Sequence, residues 1–256
     1  MQIVSWNVNS IRARLERVVP WFEDNLPEVA CLQETKTVDE DFPAEAFEAM
    51  GYQVTRHGQK TYNGVAILSR GPLGGVRRGF DDGQDEPQAR VLAGTFQGVR
   101  VVNVYVPNGK EVGNEKWSYK LDWLGRLKNY LVDRCDPEEP LVLCGDFNIA
   151  PEDRDVAKPA AWAGSVLCHP EVRAAYQSLL DWGLTDAQRI YTEEEGLYSW
   201  WDYRRLAFPK NDGLRIDLHL VTEQAAERTT SVEIDREARK GEKPSDHAPV
   251  ILTLSD

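Results

Sequence analysis

The chain has 256 residues with 42 acidic and 30 basic side chains, a net charge of −12, and its hydrophobic content of 41% is ordinary for a globular protein. No run approaches the roughly 20 apolar residues that a membrane span needs, and the first residues lack a signal peptide's basic start and apolar run. These features predict a cytoplasmic protein without a membrane partner. The four cysteines show no zinc-ligand spacing, so we expect free thiols.

The order of predicted elements indicates an α/β protein with mixed sheets. Apolar runs predict strands at 2–8, 28–33, 52–57, 64–69, 90–96, 99–106, 141–145, 216–222 and 248–254. Periodic segments with start and stop signals predict helices at 43–50, 115–134 and 170–182. Some strands follow one another directly and others follow a helix, so we expect helices outside the sheets in one domain, 1–256. The segments 203–214 and 235–246 are predicted to be long loops.

The stretch LVLCGDFNIAP, residues 141–151, raises a question about its polar residues. An unbroken apolar run ends at Gly145, and Asp146 and Asn148 follow. The alternation of a strand places these two side chains on one side, at its carboxyl end, where polar groups often meet a ligand. Gly, Asp and Asn are also ordinary turn residues, so this segment alone leaves both interpretations open.

Polar residues recur at the ends of other apolar runs. The candidates are Asn7, Glu34, Tyr105, Asp146, Asn148, Asp217, Asp246 and His247. Each has a structural alternative, such as a cap, a surface acid, a core aromatic or the partner of an arginine. Converging carboxylates are stable only when neutralised, and an oxygen-rich set with one histidine and no cysteine predicts Mg²⁺ or Mn²⁺.

A hard cation beside a histidine suits phosphoester hydrolysis. The cation polarises a phosphoryl oxygen, a carboxylate orients or deprotonates water, and donors hold the developing charge. An acid such as Asp217 would hold the second ring nitrogen of His247 and keep the ring protonated.

The net negative charge argues against a nucleic-acid partner, but two stretches are locally basic. Residues 203–215 and 236–243 each hold four basic side chains against one or two acids. A bound cation would also offset part of the acidic charge. We therefore expect that a polyanion can bind locally, with Arg204 and Arg205 as candidate contacts.

Eight motifs occur along the chain in the order expected of a known family. They are WNVNSIRAR (6–14), LQETK (32–36), NGVAILSR (63–70), NVYVPNG (103–109), GDFNIAP (145–151), WWDYR (200–204), GLRIDLHL (213–220) and KPSDHAPV (243–250). The chain resembles the exonuclease III family of bacterial apurinic/apyrimidinic endonucleases. This resemblance implies a four-layered α/β sandwich, with two packed mixed β-sheets flanked by helices. It also implies a monomeric, Mg²⁺-dependent (or Mn²⁺-dependent) enzyme that cleaves double-stranded DNA 5′ to abasic sites and trims damaged 3′ ends.

The resemblance also implies roles for individual residues. The implied metal set is Asn7, Glu34, Asp146, Asn148, Asp246 and His247, with Glu34 as the principal ligand. The implied catalytic set is Tyr105 near the leaving group or phosphate, Asp146 on the attacking water, Asn148 on the transition state, and Asp217 orienting His247. The positions matching the pocket for an abasic sugar are Trp200, Leu214 and Ile216, which could equally be ordinary core residues.

Two other functions stay open at this point. A catalytically inactive RNA-binding regulator of the same fold would be expected to lack part of the metal set, which is complete here. A superfamily phosphatase of small or lipid phosphoesters would keep the metal set but would have no use for WWDYR or for the basic loops.

Overall fold

Two six-stranded β-sheets form the centre of the computed structural model, which describes residues 1–84 and 86–255. The strands are β1 (Gln2–Asn7), β2 (Val29–Gln33), β3 (Gln53–His57), β4 (Val65–Ser69), β5 (Gly74–Arg78), β6 (Val91–Phe96), β7 (Val99–Tyr105), β8 (Leu141–Asp146), β9 (Thr185–Asp186), β10 (Asp217–Val221), β11 (Thr229–Ile234) and β12 (Val250–Leu254). The helices are α1 (Leu15–Asn25), α2 (Ala44–Glu48), α3 (Glu115–Arg134), α4 (Pro159–Trp162), α5 (Pro170–Leu180), α6 (Ala187–Tyr191) and α7 (Glu223–Arg228). Short 3₁₀ helices span Asp39–Asp41, Asp153–Asp155 and Arg236–Arg239. None of the helices in the described ranges has the length and apolar character of a membrane span.

Both sheets are mixed. Sheet A has the strand order β11-β12-β1-β2-β4-β3, and sheet B has the order β5-β6-β7-β8-β10-β9. The pairs β1–β2 and β7–β8 are parallel, and the other pairs are antiparallel. Each sheet therefore has one parallel pair near its centre, with both strands ending at the same edge.

Apolar side chains hold four layers together. One buried cluster joins the inner faces of the two sheets, with Cys31 of sheet A and Cys144 of sheet B among its members. A second packs α3 and α5 on the outer face of sheet B, and a third packs α1 and α2 on the outer face of sheet A. The predicted four-layered α/β sandwich is confirmed.

A short row of buried amides crosses between the two sheets, and we call it the inter-sheet seam. Asn103 on β7 donates through Nδ2 to the carbonyls of Leu32 (3.0 Å) and Ala66 (2.9 Å) in sheet A. Gln33 donates back through Nε2 to Asn103 Oδ1 (2.9 Å) and to Ser5 Oγ (3.2 Å). Unpaired buried amides would be costly, so these bonds favour one placement of sheet B on sheet A.

The strand and helix predictions agree closely with the structure. All nine predicted strands fall within two residues of an observed strand at either end, and the helix predicted at 115–134 has those bounds. Unpredicted elements include α1, which contains Pro20 and has no side-chain cap at its start. The exposed strand β5 and the polar edge strand β11 also lack an apolar run that would reveal them. The predicted loop 235–246 contains the 3₁₀ helix Arg236–Arg239.

The strand register brings the candidate residues to one edge of the sandwich. Asn7 pairs with Gln33 across β1 and β2, and Tyr105 pairs with Asp146 across β7 and β8. Asp217 begins β10 opposite Asp146, because β10 runs antiparallel to β8. Parallel strands end together, so polar residues distant in sequence meet there.

Gly145 offers a test of how tightly β8 packs at this edge. Its φ is +148°, and an added Cβ would lie 1.9 Å from the Val104 carbonyl oxygen. Gly145→Ala should therefore lower the free energy of unfolding by about 3 kcal/mol or more. Gly125→Ala is the matched control, because nothing lies within 4 Å of its added Cβ and the site is in the exposed interior of α3. That substitution should raise the free energy of unfolding by about 0.5–1 kcal/mol. Urea denaturation measures the free energy of unfolding of both variants. Equal changes in the two would contradict the close packing of Gly145 against Val104.

Candidate active site

The side chain of Asn7 joins carboxylates from the two sheets. Its Nδ2 donates to Glu34 Oε1, which follows β2 in sheet A, and to Asp146 Oδ2, which ends β8 in sheet B, both at 2.9 Å. Asn7 itself is fully buried. Because one amide nitrogen has two protons, this single group satisfies one oxygen of each acid and fixes their separation.

Glu34 reaches the site from a left-handed backbone conformation, with φ of +52°. Its second oxygen, Oε2, lies 2.7 Å from the ammonium of Lys36, which also donates to Asn9 Oδ1. Burial raises the pKa of Glu34, but Lys36 and the Asn7 amide outweigh it and leave the pKa below its usual value. Glu34 is therefore a carboxylate at neutral pH.

The chain turns sharply after β8, as the turn interpretation of the 141–151 stretch predicts. The Asn148 backbone N–H donates to Asp146 Oδ1 (2.9 Å), a turn in which Asn148 has φ of +49°. The Asn148 Nδ2 then donates to Asp146 Oδ2 (3.2 Å) and to the Val106 carbonyl (3.0 Å). The two side chains meet because of this turn, and the predicted strand alternation is not the cause.

Asp146 sits where several negative charges converge. Burial is the largest effect on its pKa, and the charges of Asp217 and Glu34 add to it. The charge of His247 and the hydrogen bond from Asn7 oppose the rise, and the resulting pKa is about 7. Negative charge is thus incompletely neutralised by the protein groups alone, a situation that a bound cation relieves.

A buried acid orients the histidine. His247 Nδ1 lies 2.8 Å from Asp217 Oδ2 and 3.1 Å from Oδ1, and because a carboxylate only accepts, Nδ1 carries a proton. Ser199 donates through its hydroxyl to Asp217 Oδ2 (2.6 Å) and accepts from the backbone N–H groups of Ile216 and Asp217. The Asp217–His247 pair predicted from the sequence is present in the structure, supported by a serine that was not predicted.

His247 is cationic at neutral pH when no metal is bound. Burial lowers the pKa of its ring, but the carboxylates of Asp217 and Asp146 outweigh burial and raise the pKa to about 10. Its free nitrogen, Nε2, lies 3.8 Å from Asp146 Oδ2. The ring therefore presents a proton donor toward the same space as the carboxylates.

Three side chains are arranged as a metal site. They are Glu34, Asp146 and His247, and one ligand atom of each lies within 4.8 Å of the other two. Among the described residues, no other His, Cys, Asp or Glu side chains form such a group of three or more. Glu34 and Asp146 contribute the carboxylate oxygens that a hard divalent cation prefers, whereas the protonated His247 ring contributes a hydrogen-bond donor at the edge of this set.

Asp246 is held close to this set by other partners. Its Oδ1 accepts from Asn9 Nδ2 (2.9 Å), and its Oδ2 accepts from Trp200 Nε1 (3.0 Å). Burial raises the pKa of Asp246, but His247 and these two donors outweigh it and lower the pKa. The structure thus places the predicted ligand Asp246 outside the 4.8 Å set in the described part of the chain.

Tyr105 lines the same cavity from the end of β7. Burial raises the pKa of its phenol well above the usual value, and the charges of Glu34 and Asp146 raise it further. Arg90 lies over the ring, 4.5 Å from its centroid. The phenol is therefore a neutral hydrogen-bond donor, directed at an acidic site.

A cavity of about 760 Å³ opens beside these groups. Of the three predicted pocket residues, Trp200 and Ile216 line it, whereas Leu214 packs behind them at 1% exposure. Trp162 completes the aromatic wall, with its ring edge-on to Trp200 at 6.0 Å. Trp162 ends the short helix α4, and no apolar run or motif in the sequence marks it as a cavity residue.

The arginines of the two basic loops have different surroundings. Arg204 lines the cavity and is 83% exposed, but it is paired bidentately with Asp202. Arg205 lines a neighbouring cavity of about 490 Å³. Arg239 instead packs its guanidinium over the rings of Tyr203 and Phe208. Part of the basic charge therefore holds the loops together and does not face a ligand.

Comparisons with known proteins agree with this geometry. Residues 4–247 match the family model described as the Endonuclease/Exonuclease/phosphatase family. Exodeoxyribonuclease III of Haemophilus influenzae is 37% identical over 262 aligned positions that cover 98% of each chain. A 3′ phosphatase from Neisseria, solved with a product DNA hairpin, is 43% identical with a TM-score of 0.97, and an AP endonuclease from Archaeoglobus fulgidus is 39% identical with a TM-score of 0.95. Both structures match over 100% of each chain. The chain therefore belongs to the endonuclease/exonuclease/phosphatase family.

Proposed function

We propose that the protein is a divalent-cation-dependent DNA phosphodiesterase of base excision repair, which cleaves 5′ to abasic sites and trims damaged 3′ ends. One observation carries the proposal: Glu34, Asp146 and His247 bring their ligand atoms within 4.8 Å of one another in the wall of an open cavity. The names of the relatives, an exodeoxyribonuclease, a 3′ phosphatase and an AP endonuclease, support it. In this proposal the chain acts as a monomer with a single catalytic domain, in the cytoplasm.

Mg²⁺ is the proposed ion, with Mn²⁺ as a substitute, and Glu34 is its principal ligand with Asn7 in support. When bound, the ion supplies positive charge that neutralises the carboxylates and polarises a phosphoryl oxygen. Asp146 and Asn148 border the cavity together, so they hold the attacking water and the developing charge. Asp246 acts indirectly, through Asn9 and Trp200.

The remaining polar groups act on the phosphate. His247, fixed by Asp217, directs Nε2 toward the space that a phosphate oxygen occupies in this proposal. Tyr105 donates a hydrogen bond from its phenol near the leaving oxygen, because its pKa is raised and the group stays neutral.

The aromatic wall favours an abasic nucleotide as substrate. An abasic residue has no stacked base to disrupt, so extruding it costs about a few kcal/mol less than flipping a normal nucleotide. Trp200 and Ile216 present apolar surface beside the site, which suits a sugar without a base. This cavity is the reason to prefer a DNA nuclease over an inactive RNA-binding regulator or a phosphatase of small or lipid phosphoesters.

The proposal is tested with an end-labelled duplex that contains one abasic analogue. We expect Mg²⁺-dependent incision 5′ to the analogue, complete inhibition by EDTA, and removal of a 3′ phosphate from a second duplex. Incision that persists in EDTA, or that occurs only 3′ to the analogue, would refute the proposed chemistry.

Asp146→Asn and Glu34→Ala should each lower the incision rate by about 10²-fold or more, because each removes a group that holds the water or the ion. Steady-state kinetics at millimolar Mg²⁺ measure the loss, and circular dichroism confirms folding. Glu138→Gln, an exposed acid outside the site, is the matched control and should be unchanged. Near-normal incision by either site variant would contradict its assignment.

Trp200→Ala should impair abasic-site incision about tenfold more than hydrolysis of a small phosphodiester, because only the larger substrate uses the wall. Trp200→Phe keeps an aromatic wall and loses the hydrogen bond to Asp246, so it separates the two contributions. If Trp200 is only a core residue, both substrates should lose rate equally and the melting temperature should fall. That outcome would remove the pocket from the proposal.

A further inference from the structure

A fully buried lysine lies beneath the active-site loops. Lys120 is on α3 and has 0% exposure. The other buried residues of this helix are mostly tryptophans and leucines. Lysine is rarely buried without a partner. In the described part of the chain no carboxylate pairs with its ammonium, so other groups must compensate for the loss of water.

Three backbone carbonyls provide that compensation. The Lys120 ammonium donates to the carbonyls of Asn108 (3.1 Å), Asn148 (2.7 Å) and Val166 (2.7 Å). An ammonium has three N–H donors and no acceptor, so these contacts use its full capacity. Hydrogen bonds from a charged donor are shorter and stronger than neutral ones, and the two 2.7 Å distances fit that class.

The three carbonyls belong to three different loops that line the catalytic cavity. Asn108 follows β7, Asn148 follows β8, and Val166 lies between α4 and α5. Gly109 closes over the lysine stem, since an added Cβ there would lie 3.0 Å from Lys120 Cδ. One buried lysine side chain therefore connects segments that no regular secondary structure joins.

The same peptide units carry the amides that face the cavity. Asn108 Nδ2 donates to Asn148 Oδ1 (3.0 Å) and so fixes the orientation of the Asn148 amide. In this orientation Asn148 Nδ2 donates to Asp146 Oδ2. Asn148 holds a left-handed backbone, a conformation that is unfavourable unless its surroundings enforce it. The bond from Lys120 to the Asn148 carbonyl is one such constraint.

We propose that Lys120 is a positioning residue for the nuclease reaction, holding the Asn108 and Asn148 amides in the geometry that the transition state needs. It touches no substrate and acts through the three carbonyls. The proposal rests on the function proposed above, because Asn148 must itself act on the reacting phosphate or water. Small misplacements of such groups cost rate and leave substrate binding largely unchanged.

A double-mutant cycle on the full chain tests this. Lys120→Met should lower kcat for abasic-site incision by about 10- to 100-fold with KM nearly constant, and should add little to the loss in Asn148→Ala. Lys120→Arg should recover part of the rate, since it keeps a buried cation with donors. Leu127→Ala, a core truncation on the same helix, should lower the melting temperature and leave kcat unchanged at temperatures where it is folded.

A purely structural role for Lys120 predicts a different pattern, in which the losses of Lys120→Met and Asn148→Ala multiply and Leu127→Ala slows incision as much. That pattern overturns the proposal. Where Lys120→Met does not fold, the cycle is run with Lys120→Arg, and an unchanged kcat overturns it equally.

NMR signals of the Asn108 and Asn148 side-chain amides give a readout without activity. They should shift or broaden in the Lys120 variant and stay unchanged in Leu127→Ala, and unchanged signals in both variants overturn the proposal. A wild-type protein that fails to incise refutes the proposed function alone.

Discussion

The amide of Asn7 donates one proton to a carboxylate on each sheet, and the rest of the site depends on this shared donor. Glu34 and Asp146 come from different layers of the sandwich, and their charges repel. The inter-sheet seam fixes the relative position of those layers directly behind them. The two acids are therefore held close together by the fixed sheets, and part of their negative charge is not neutralised by the protein.

Positive charge surrounds this acidic centre without cancelling it. Lys36 pairs with the outer oxygen of Glu34, and His247 is held as a cation by Asp217. Lys120 donates hydrogen bonds to backbone carbonyls under the loops. A bound divalent cation would offset the remaining negative charge, and the groups of this centre are held in place by hydrogen bonds.

Much of the fold and of the site could be predicted from the sequence, because apolar runs that stop at polar residues mark strand ends. The pairing of Asp217 with His247 follows from the same pattern. The backbone conformation after β8 could not be predicted in the same way. The turn that brings Asn148 back to Asp146 needs a positive φ at Asn148, and hydrophobic periodicity carries no information about φ. Leu214 packs behind the cavity wall and Trp162 forms part of it, and the sequence does not show this because tertiary packing decides which side chains face a cavity.

We propose that the two sheets present carboxylates to a shared cation, and thermal unfolding at increasing Mg²⁺ concentration is the test. A ligand that binds only the folded state raises the melting temperature. We predict a rise on the order of 5 °C at saturating Mg²⁺ for the wild type and for Glu138→Gln, and little or no rise for Asp146→Asn. An equal rise of the melting temperature in Asp146→Asn, or no rise in the wild type, would contradict a cation site formed by these carboxylates.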